Sequence, residues 1–153
     1  MAKMKRIILF LLLFGFPGLR LSSAQSKTAA LTFNHAAVCV KDLGVSTNFY
    51  KAVLGLEEIP NPFNDGIHAW FKIGPQLQLH VIQRGCSLKP EKNVHLCFST
   101  ASLQDFVSGL EKARVSYTNL KGEGKEPTTR VDGIKQIYLQ DPDGYWIEIN
   151  DAK

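Results

Sequence analysis

Two similar halves make up most of this sequence, and the duplication restricts the folds that the chain can adopt. Each half opens with an alternating apolar segment, at residues 33–40 and 93–99, which is typical of a strand. A segment with helical spacing follows, after Asp42 in the first half and Ser102 in the second, and both residues are typical helix N-caps. Each half then contains three shorter strand-like segments, at residues 56–59, 69–73 and 76–83 and at residues 116–119, 134–139 and 145–150.

This order predicts an α+β protein made of two βαβββ modules, residues 31–83 and 93–151, with a linker at residues 84–92. We expect the modules to form a curved mixed sheet of two half-barrels, with the helices on the outer face. Gly55 is expected to end the first helix, and the turn at residues 141–144 joins the last two strands. The modules together are expected to form a single domain.

The charge distribution argues against a nucleic-acid binder. The chain has a formal net charge of +4, with 18 basic and 14 acidic residues. Four of the basic residues lie within the first 24 positions, which contain no acidic residue, so 14 basic and 14 acidic residues remain beyond them. A neutral body lacks the electrostatic footprint of a protein that binds DNA or RNA.

The first 24 residues have the composition of a secretory signal peptide. A basic start leads into an apolar run at residues 7–19, which Pro17 and Gly18 interrupt, and Ser22-Ser23-Ala24 supplies small residues for cleavage. We expect cleavage after Ala24, a short extension at residues 25–30, and export to the periplasm or the extracellular space. The alternative is an uncleaved anchor, but the run is short for a membrane span, so no stable membrane anchor is expected.

One face of the predicted sheets carries four groups that can bind a metal ion. Because alternate strand residues point to opposite sides, His35, His80, His95 and Glu148 all lie on the polar faces of their strands. They occupy the opening and closing strands of the two halves, so a pseudo-twofold arrangement would bring them to one centre. Such a set predicts one divalent ion, zinc, nickel, manganese, cobalt or iron, with open positions for substrate. The alternative is a set of hydrogen-bonded core residues.

Further side chains on these faces are candidates for the substrate pocket, namely Gln78, Trp146, Asn150, Cys39 and Cys97. Trp146 is expected to form a pocket wall, because its neighbours on that face are polar. Cys39 and Cys97 are expected to be small apolar residues, with ligation or a disulfide as alternatives. Cys86 lies in the polar linker and is the candidate for a free or intermolecular thiol, whereas His68 matches no partner and is expected at the surface or rim.

At these residues the chain resembles the vicinal oxygen chelate superfamily, which includes glyoxalase I, methylmalonyl-CoA epimerase, extradiol dioxygenases, fosfomycin thiol transferases and bleomycin-binding proteins. The resemblance covers about residues 31–151 and is strongest at Asn34-His35, residues 49–56 and residues 141–149. It implies that His35, His80, His95 and Glu148 occupy the metal positions of the family. It also implies that adjacent oxygens of a small substrate chelate the ion, and that Glu148 is the catalytic residue, which moves a proton.

The resemblance further implies a homodimer, in which some relatives share the site between two chains. Members of the glyoxalase I type have a carboxylate at the position of His80, so this sequence departs from their pattern. Export would also separate the chain from the cytosolic glutathione adducts that glyoxalase I uses. The favoured hypothesis is an exported metal-dependent enzyme with isomerase or lyase chemistry.

Three alternatives within the superfamily remain. A non-haem iron extradiol-type dioxygenase would use His35, His95 and Glu148, but such enzymes usually contain two copies of this domain. A fosfomycin-type thiol transferase needs the same three ligands, but His80 and the lack of an obvious cationic cluster argue against it. A non-catalytic, drug-sequestering binding protein would need no metal, and the four ligands argue against that.

Overall fold

A computed structural model of the protein describes residues 30–87 and 91–153, and residues 32–153 form a compact unit. The predicted signal peptide and most of the short extension lie outside the described residues. Neither helix in the described part has the length and hydropathy that a membrane span requires. The elements in chain order are β1 (His35–Val40), α1 (Leu43–Ala52), β2 (Glu57–Ile59), β3 (His68–Lys72), β4 (Gln78–Gln83), β5 (His95–Ser99), α2 (Leu103–Lys112), β6 (Tyr117–Thr118), β7 (Thr128–Thr129), β8 (Lys135–Gln140) and β9 (Trp146–Asn150).

Each module forms its own mixed sheet, and the two sheets do not close into a barrel. The first sheet has the order β1-β4-β3-β2, and the second has the order β5-β9-β8-β6, with β7 paired to β8. The opening strand of each module lies parallel to its closing strand, β1 to β4 and β5 to β9. The α+β fold and the duplicated order of elements are therefore confirmed. Strand β7 was not predicted, because two residues are too short to show a periodicity and are defined only by pairing with β8.

The helices begin and end where the local sequence predicts. The Asp42 side chain accepts a hydrogen bond from the Val45 amide at 2.9 Å, and the Ser102 hydroxyl accepts one from the Asp105 amide at 3.1 Å. These bonds satisfy amides that a helix start leaves without partners. Gly55 follows the end of α1 with a φ of +67°, a conformation that glycine adopts without steric cost.

The apolar faces of both sheets form the core, which leaves the polar faces for a site. Alternate residues of the strands, which are apolar, lie in the core under the helical layer, as the period of a strand requires. In the middle of β8 and β9 the polar face is buried as well. The buried set includes Val38, Val40, Phe71, Leu79 and Val81 in the first sheet and Ile137, Leu139, Ile147 and Ile149 in the second.

The turn between β8 and β9 joins the two modules. The Tyr50 hydroxyl of α1 donates a hydrogen bond to Asp141 Oδ2 at 2.8 Å, and the amides of Asp143 and Tyr145 donate to Asp141 Oδ1 at 2.9 and 2.8 Å. Asp143 in turn accepts hydrogen bonds from the Lys41 amide and from the Ser46 hydroxyl. Two of the segments with the strongest family resemblance therefore contact each other directly.

One disulfide closes the end of the first module. Cys39 pairs with Cys86, with their Cα atoms 6.1 Å apart, and Cys97 is free. The prediction of a free thiol at Cys86 is therefore wrong, as is the prediction that Cys39 is only a small apolar residue. The reason is tertiary: β4 lies beside β1, and the Arg84 amide bonds to the Val40 carbonyl, so the linker turns back across the end of β1.

Candidate metal site

The structure places the four predicted ligands as two pairs, one on the polar face of each sheet. His35 and His80 form the first half-site, and His95 and Glu148 form the second half-site. Among the described residues, no three His, Cys, Asp or Glu side chains lie close enough to hold one metal ion together. A single chain therefore presents two half-sites, and a centre made by all four ligands stays a prediction.

The second half-site has the chemistry of a cation site. His95 Nδ1 donates a hydrogen bond to the Lys92 carbonyl at 2.7 Å, so a neutral His95 has its lone pair on Nε2. That nitrogen lies 3.3 Å from Glu148 Oε2. Two acceptors that face each other repel unless a proton or a metal ion lies between them. Two ligands at zinc bond lengths of about 2.0–2.2 Å lie about 3.0–3.4 Å apart, so the observed separation fits a shared ion.

Glu148 is held at both carboxylate oxygens. The Tyr138 hydroxyl donates to Oε2 at 2.6 Å, and Asn150 Nδ2 and the Cys97 thiol donate to Oε1 at 2.9 and 3.4 Å. Burial by itself would raise the pKa of Glu148, but these hydrogen bonds and the neighbouring His95 lower it below its usual value. The carboxylate is therefore ionised at neutral pH, as a metal ligand must be.

Two of the hydrogen-bond donors to Glu148, the Cys97 thiol and the Tyr138 phenol, stay protonated at neutral pH. Partial burial and the charge of Glu148 raise the pKa of the Cys97 thiol to about 11. Burial and the hydrogen bond to Glu148 also raise the pKa of the Tyr138 phenol. Both groups therefore serve as hydrogen-bond donors to Glu148 at neutral pH and do not supply a charged ligand.

The first half-site is a stack of rings. The His35 and His80 rings are parallel within 10° with centroids 4.3 Å apart, and Trp70 stacks on the other face of His80 at 4.0 Å. His35 Nδ1 donates to Asn34 Oδ1 and His80 Nε2 donates to Gln78 Oε1, so each ring keeps one free nitrogen. Burial, and then the nearby His35, lower the pKa of His80, which favours the neutral form that binds metals. Parallel rings do not direct their lone pairs to one point, so this pair must rotate to bind one ion.

The predicted pocket residues have several roles. Gln78 bonds to His80 and Asn150 bonds to Glu148, so both residues orient predicted metal ligands on the polar faces of their sheets. Trp146 is half-buried below Lys92 Nζ, which lies 4.5 Å from its ring centroid. Together with Tyr138, Trp146 forms part of the wall of a cleft of about 220 Å³, but none of the four predicted ligands lines this cleft. The Cys97 thiol donates to Glu148, whereas Cys39 forms a disulfide with Cys86.

His68 lies on the polar face of β3 but outside both half-sites. Its Nδ1 atom lies 2.6 Å from Asp65 Oδ2, and its ring packs against Phe63 with centroids 5.1 Å apart. This position agrees with the expectation of a rim residue without a partner among the ligands.

Sequence reasoning missed four residues around Glu148. Tyr138 and Gln136 lie on its face, and the alternation of the predicted strand 134–139 could have placed both there. Arg130 and Lys92 are cations near the second half-site, and Arg130 Nη1 is 3.9 Å from Glu148 Oε1. Two cations therefore lie near this half-site, although no obvious cationic cluster was expected around the pocket. Arg130 and Lys92 lie outside the predicted strands, where residue spacing gives no signal of their position.

Comparison with known proteins defines the class of this protein. Residues 32–149 match the family model of the glyoxalase/bleomycin resistance protein/dioxygenase superfamily. The chain is 30% identical over 125 residues to the uncharacterised protein YwbC of Bacillus subtilis, an alignment that covers 78% of this chain and 96% of YwbC. It is 28% identical over 128 residues to Glyoxylase I 4 of Arabidopsis thaliana, covering 77% and 69% of the two chains.

A solved structure agrees with this assignment. The crystal structure of virulence protein STM3117 from Salmonella typhimurium superposes with a TM-score of 0.61 at 25% identity, covering 82% of this chain and all of that one. The chain therefore belongs to the glyoxalase/bleomycin resistance protein/dioxygenase superfamily.

Proposed function

We propose that this protein is an exported, divalent-metal-dependent enzyme of the glyoxalase type. Its substrate is a small molecule with two adjacent oxygens, and its chemistry is that of an isomerase or a lyase. The observation that carries the proposal is the second half-site, where the His95 lone pair and an ionised Glu148 face each other at 3.3 Å. The relative named Glyoxylase I 4 supports the same reaction class.

We also propose that two chains complete the metal site. The half-sites lie on different sheets, and His35 and His95 both lie on edge strands, since β1 and β5 each pair with one strand in the described part of the chain. If β1 of one chain lay beside β5 of a second chain, the first half-site of one chain would face the second half-site of the other. A symmetric homodimer made in this way has two equivalent sites.

Each residue of the proposed site has a separate role in the reaction. A bound divalent ion supplies Lewis-acid stabilisation of the oxyanion that develops on the substrate. His95 and Glu148 of one chain would hold it, together with His35 and His80 of the other. Glu148 also accepts or returns the proton that moves between neighbouring carbons, and the indoles of Trp70 and Trp146 exclude water beside the ligands.

The disulfide supports the export that the proposal includes. Disulfides persist in oxidising compartments and are rare in the cytosol, so a Cys39–Cys86 bond suits a secreted or periplasmic protein. The N-terminal sequence supports the same location through its signal-peptide composition.

The direct test combines metal analysis with two assays. Purified protein, reconstituted with Zn²⁺, Ni²⁺, Mn²⁺, Co²⁺ or Fe²⁺, is expected to retain about one ion per chain. It is also expected to isomerise or cleave a small substrate with two adjacent oxygens, for which α-hydroxycarbonyl compounds and hemithioacetals of thiols other than glutathione are the first probes. Oxygen consumption on catechols with Fe²⁺ would instead identify a dioxygenase. Failure to retain any of these metals would contradict the proposal and favour a binding protein.

A second candidate function is favoured by Arg130. The Arg130 side chain is 43% exposed, with Nη1 3.9 Å from Glu148 Oε1 and Nη2 donating to Asp132 Oδ2 at 2.6 Å. An anionic substrate at the second half-site would therefore meet a cation. This arrangement suits a fosfomycin-type reaction, in which a thiol forms a C–S bond at an epoxide carbon of a phosphonate substrate, the C–O bond of the epoxide opens, and its oxygen takes up the thiol proton. The same metal-loaded protein tested with fosfomycin and a thiol distinguishes this activity from the isomerase.

A complementation experiment tests whether two chains share the site. Neither His80→Ala nor Glu148→Ala is expected to bind metal tightly when expressed alone. When the two variants are co-expressed, half of the dimers are mixed and each mixed dimer has one intact site, so about one quarter of the wild-type sites should return. Metal analysis of the purified mixture measures this fraction.

The matched control combines His95→Ala with Glu148→Ala. Both substitutions lie in the second half-site, so every site in a mixed dimer lacks one ligand and no metal binding should return. Recovery in this control, or no recovery in the first pair, would rule out the shared site.

A further inference from the structure

Four polar side chains are buried in the middle of the second sheet, around Glu148. Gln136, Tyr138, Glu148 and Asn150 are only 4%, 3%, 5% and 4% exposed. All four lie on the polar face, on the adjacent antiparallel strands β8 and β9, where Tyr138 is opposite Glu148 and Gln136 is opposite Asn150. Buried polar groups are stable only when they are hydrogen-bonded, and these four are bonded to one another.

The hydrogen bonds within this set have a defined direction. Gln136 Nε2 donates to the Tyr138 phenol oxygen at 3.1 Å, so the phenol proton is directed away from Gln136. It is donated to Glu148 Oε2 at 2.6 Å, which is within the range of short hydrogen bonds to a carboxylate. On the other side, Asn150 Nδ2 donates to Glu148 Oε1 at 2.9 Å. The carboxylate is therefore fixed in its plane by a donor at each oxygen.

Tyr138 also contacts the second ligand of this half-site. The His95 ring meets the Tyr138 ring edge to face, with centroids 5.5 Å apart and an angle of 88° between the planes. One tyrosine thus touches both members of the pair whose facing atoms, His95 Nε2 and Glu148 Oε2, are 3.3 Å apart. Removal of the hydroxyl would free Oε2 to turn away from His95 while leaving the rings packed.

We propose that Tyr138, oriented by Gln136, is a positioning residue that holds Glu148 Oε2 toward His95 and so sets the metal affinity of the second half-site. This role rests on the proposed function, since it assumes that the half-site binds a divalent ion. Partners that orient metal ligands in this way typically change metal affinity by about 10–100-fold when they are removed.

The test is a Co²⁺ titration of the full chain, followed by the visible absorption of the bound ion. Tyr138→Phe is expected to weaken Co²⁺ binding by about 10–100-fold and to alter the absorption bands, because the Glu148 oxygen is no longer held. Tyr117→Phe is the matched control. Tyr117 is 9% exposed and its hydroxyl donates to Glu111 at 3.0 Å, so the substitution removes a tyrosine–glutamate bond that involves no predicted metal ligand.

The outcomes separate this role from the proposed function. Weaker binding in Tyr138→Phe with unchanged binding in Tyr117→Phe supports the positioning role. Equal affinity and equal spectra for Tyr138→Phe and wild type overturn it, while the metal site itself stands. If the wild-type chain binds no Co²⁺, the proposed function fails and the positioning role fails with it.

A second variant keeps the test decisive if Tyr138→Phe does not fold. Gln136→Met removes the donor that orients the Tyr138 hydroxyl but keeps a side chain of similar length. It should weaken Co²⁺ binding in the same direction by a smaller factor and shift the absorption bands. A Gln136→Met protein with wild-type affinity and spectrum would overturn the proposal.

Discussion

Replacement of His95 with alanine is expected to abolish metal binding, with a loss of affinity of more than about 100-fold, beyond that expected for a residue that only orients a ligand. The physical reason is that Glu148 is then the one ligand left in the second half-site, since His95 Nε2 is the atom 3.3 Å from Oε2. Competition with a coloured chelator would measure the affinity for Co²⁺ or Zn²⁺ in the wild-type and variant proteins.

His68→Ala is the matched control for this prediction. His68 also lies on a polar sheet face, but it is bonded to Asp65 and contacts neither half-site ligand pair by a hydrogen bond. Its removal should leave metal affinity unchanged. Equal losses in the two variants would mean that the histidines are assigned to the wrong roles.

Replacement of Asp141 with alanine is expected to lower the free energy of unfolding by about 4 kcal/mol, because three donors lose their acceptor. These donors are the Tyr50 hydroxyl, on a residue that is fully buried, and the amides of Asp143 and Tyr145. An unsatisfied buried donor costs about 1–3 kcal/mol, so the effect exceeds that of most single substitutions. Urea denaturation followed by tryptophan fluorescence would measure it.

Two variants define the cause of this loss. Asp141→Asn keeps an oxygen for the two amides and presents an amide group to the Tyr50 oxygen, so it should cost only about 1 kcal/mol. Asp151→Ala removes another aspartate that accepts a backbone hydrogen bond, from the Lys135 amide, but at a less buried position, and should cost less than about 1 kcal/mol. A small effect of Asp141→Ala would show that the turn does not hold the modules together.

The alternation of polar and apolar residues was sufficient to assign the faces of the strands. Val38, Leu79 and Ile147 are buried, while His35, His80 and Glu148 lie on the opposite faces, as the period of two requires. The helix starts at Asp42 and Ser102 were predictable for a similar reason, because a cap acts on amides within three residues of itself.

The cysteines show where this reasoning fails. The spacing of Cys39 and Cys86 in the chain says nothing about their distance in space, and the pairing depends on the parallel contact of β1 with β4 and on the path of the linker. Arg130 is a similar case, because it follows the short strand β7 and reaches Glu148 only through the pairing of β7 with β8.

By itself, the sequence determined the duplicated modules, the polar face of each strand and the residue types that can bind a metal, because these properties depend on neighbours along the chain. The tertiary structure alone decided which ligands meet. It pairs His35 with His80 and His95 with Glu148, and it surrounds Glu148 with Tyr138, Asn150 and Cys97. Distances between strands depend on sheet order and on the packing of the modules, and residue spacing within a strand contains no information about either.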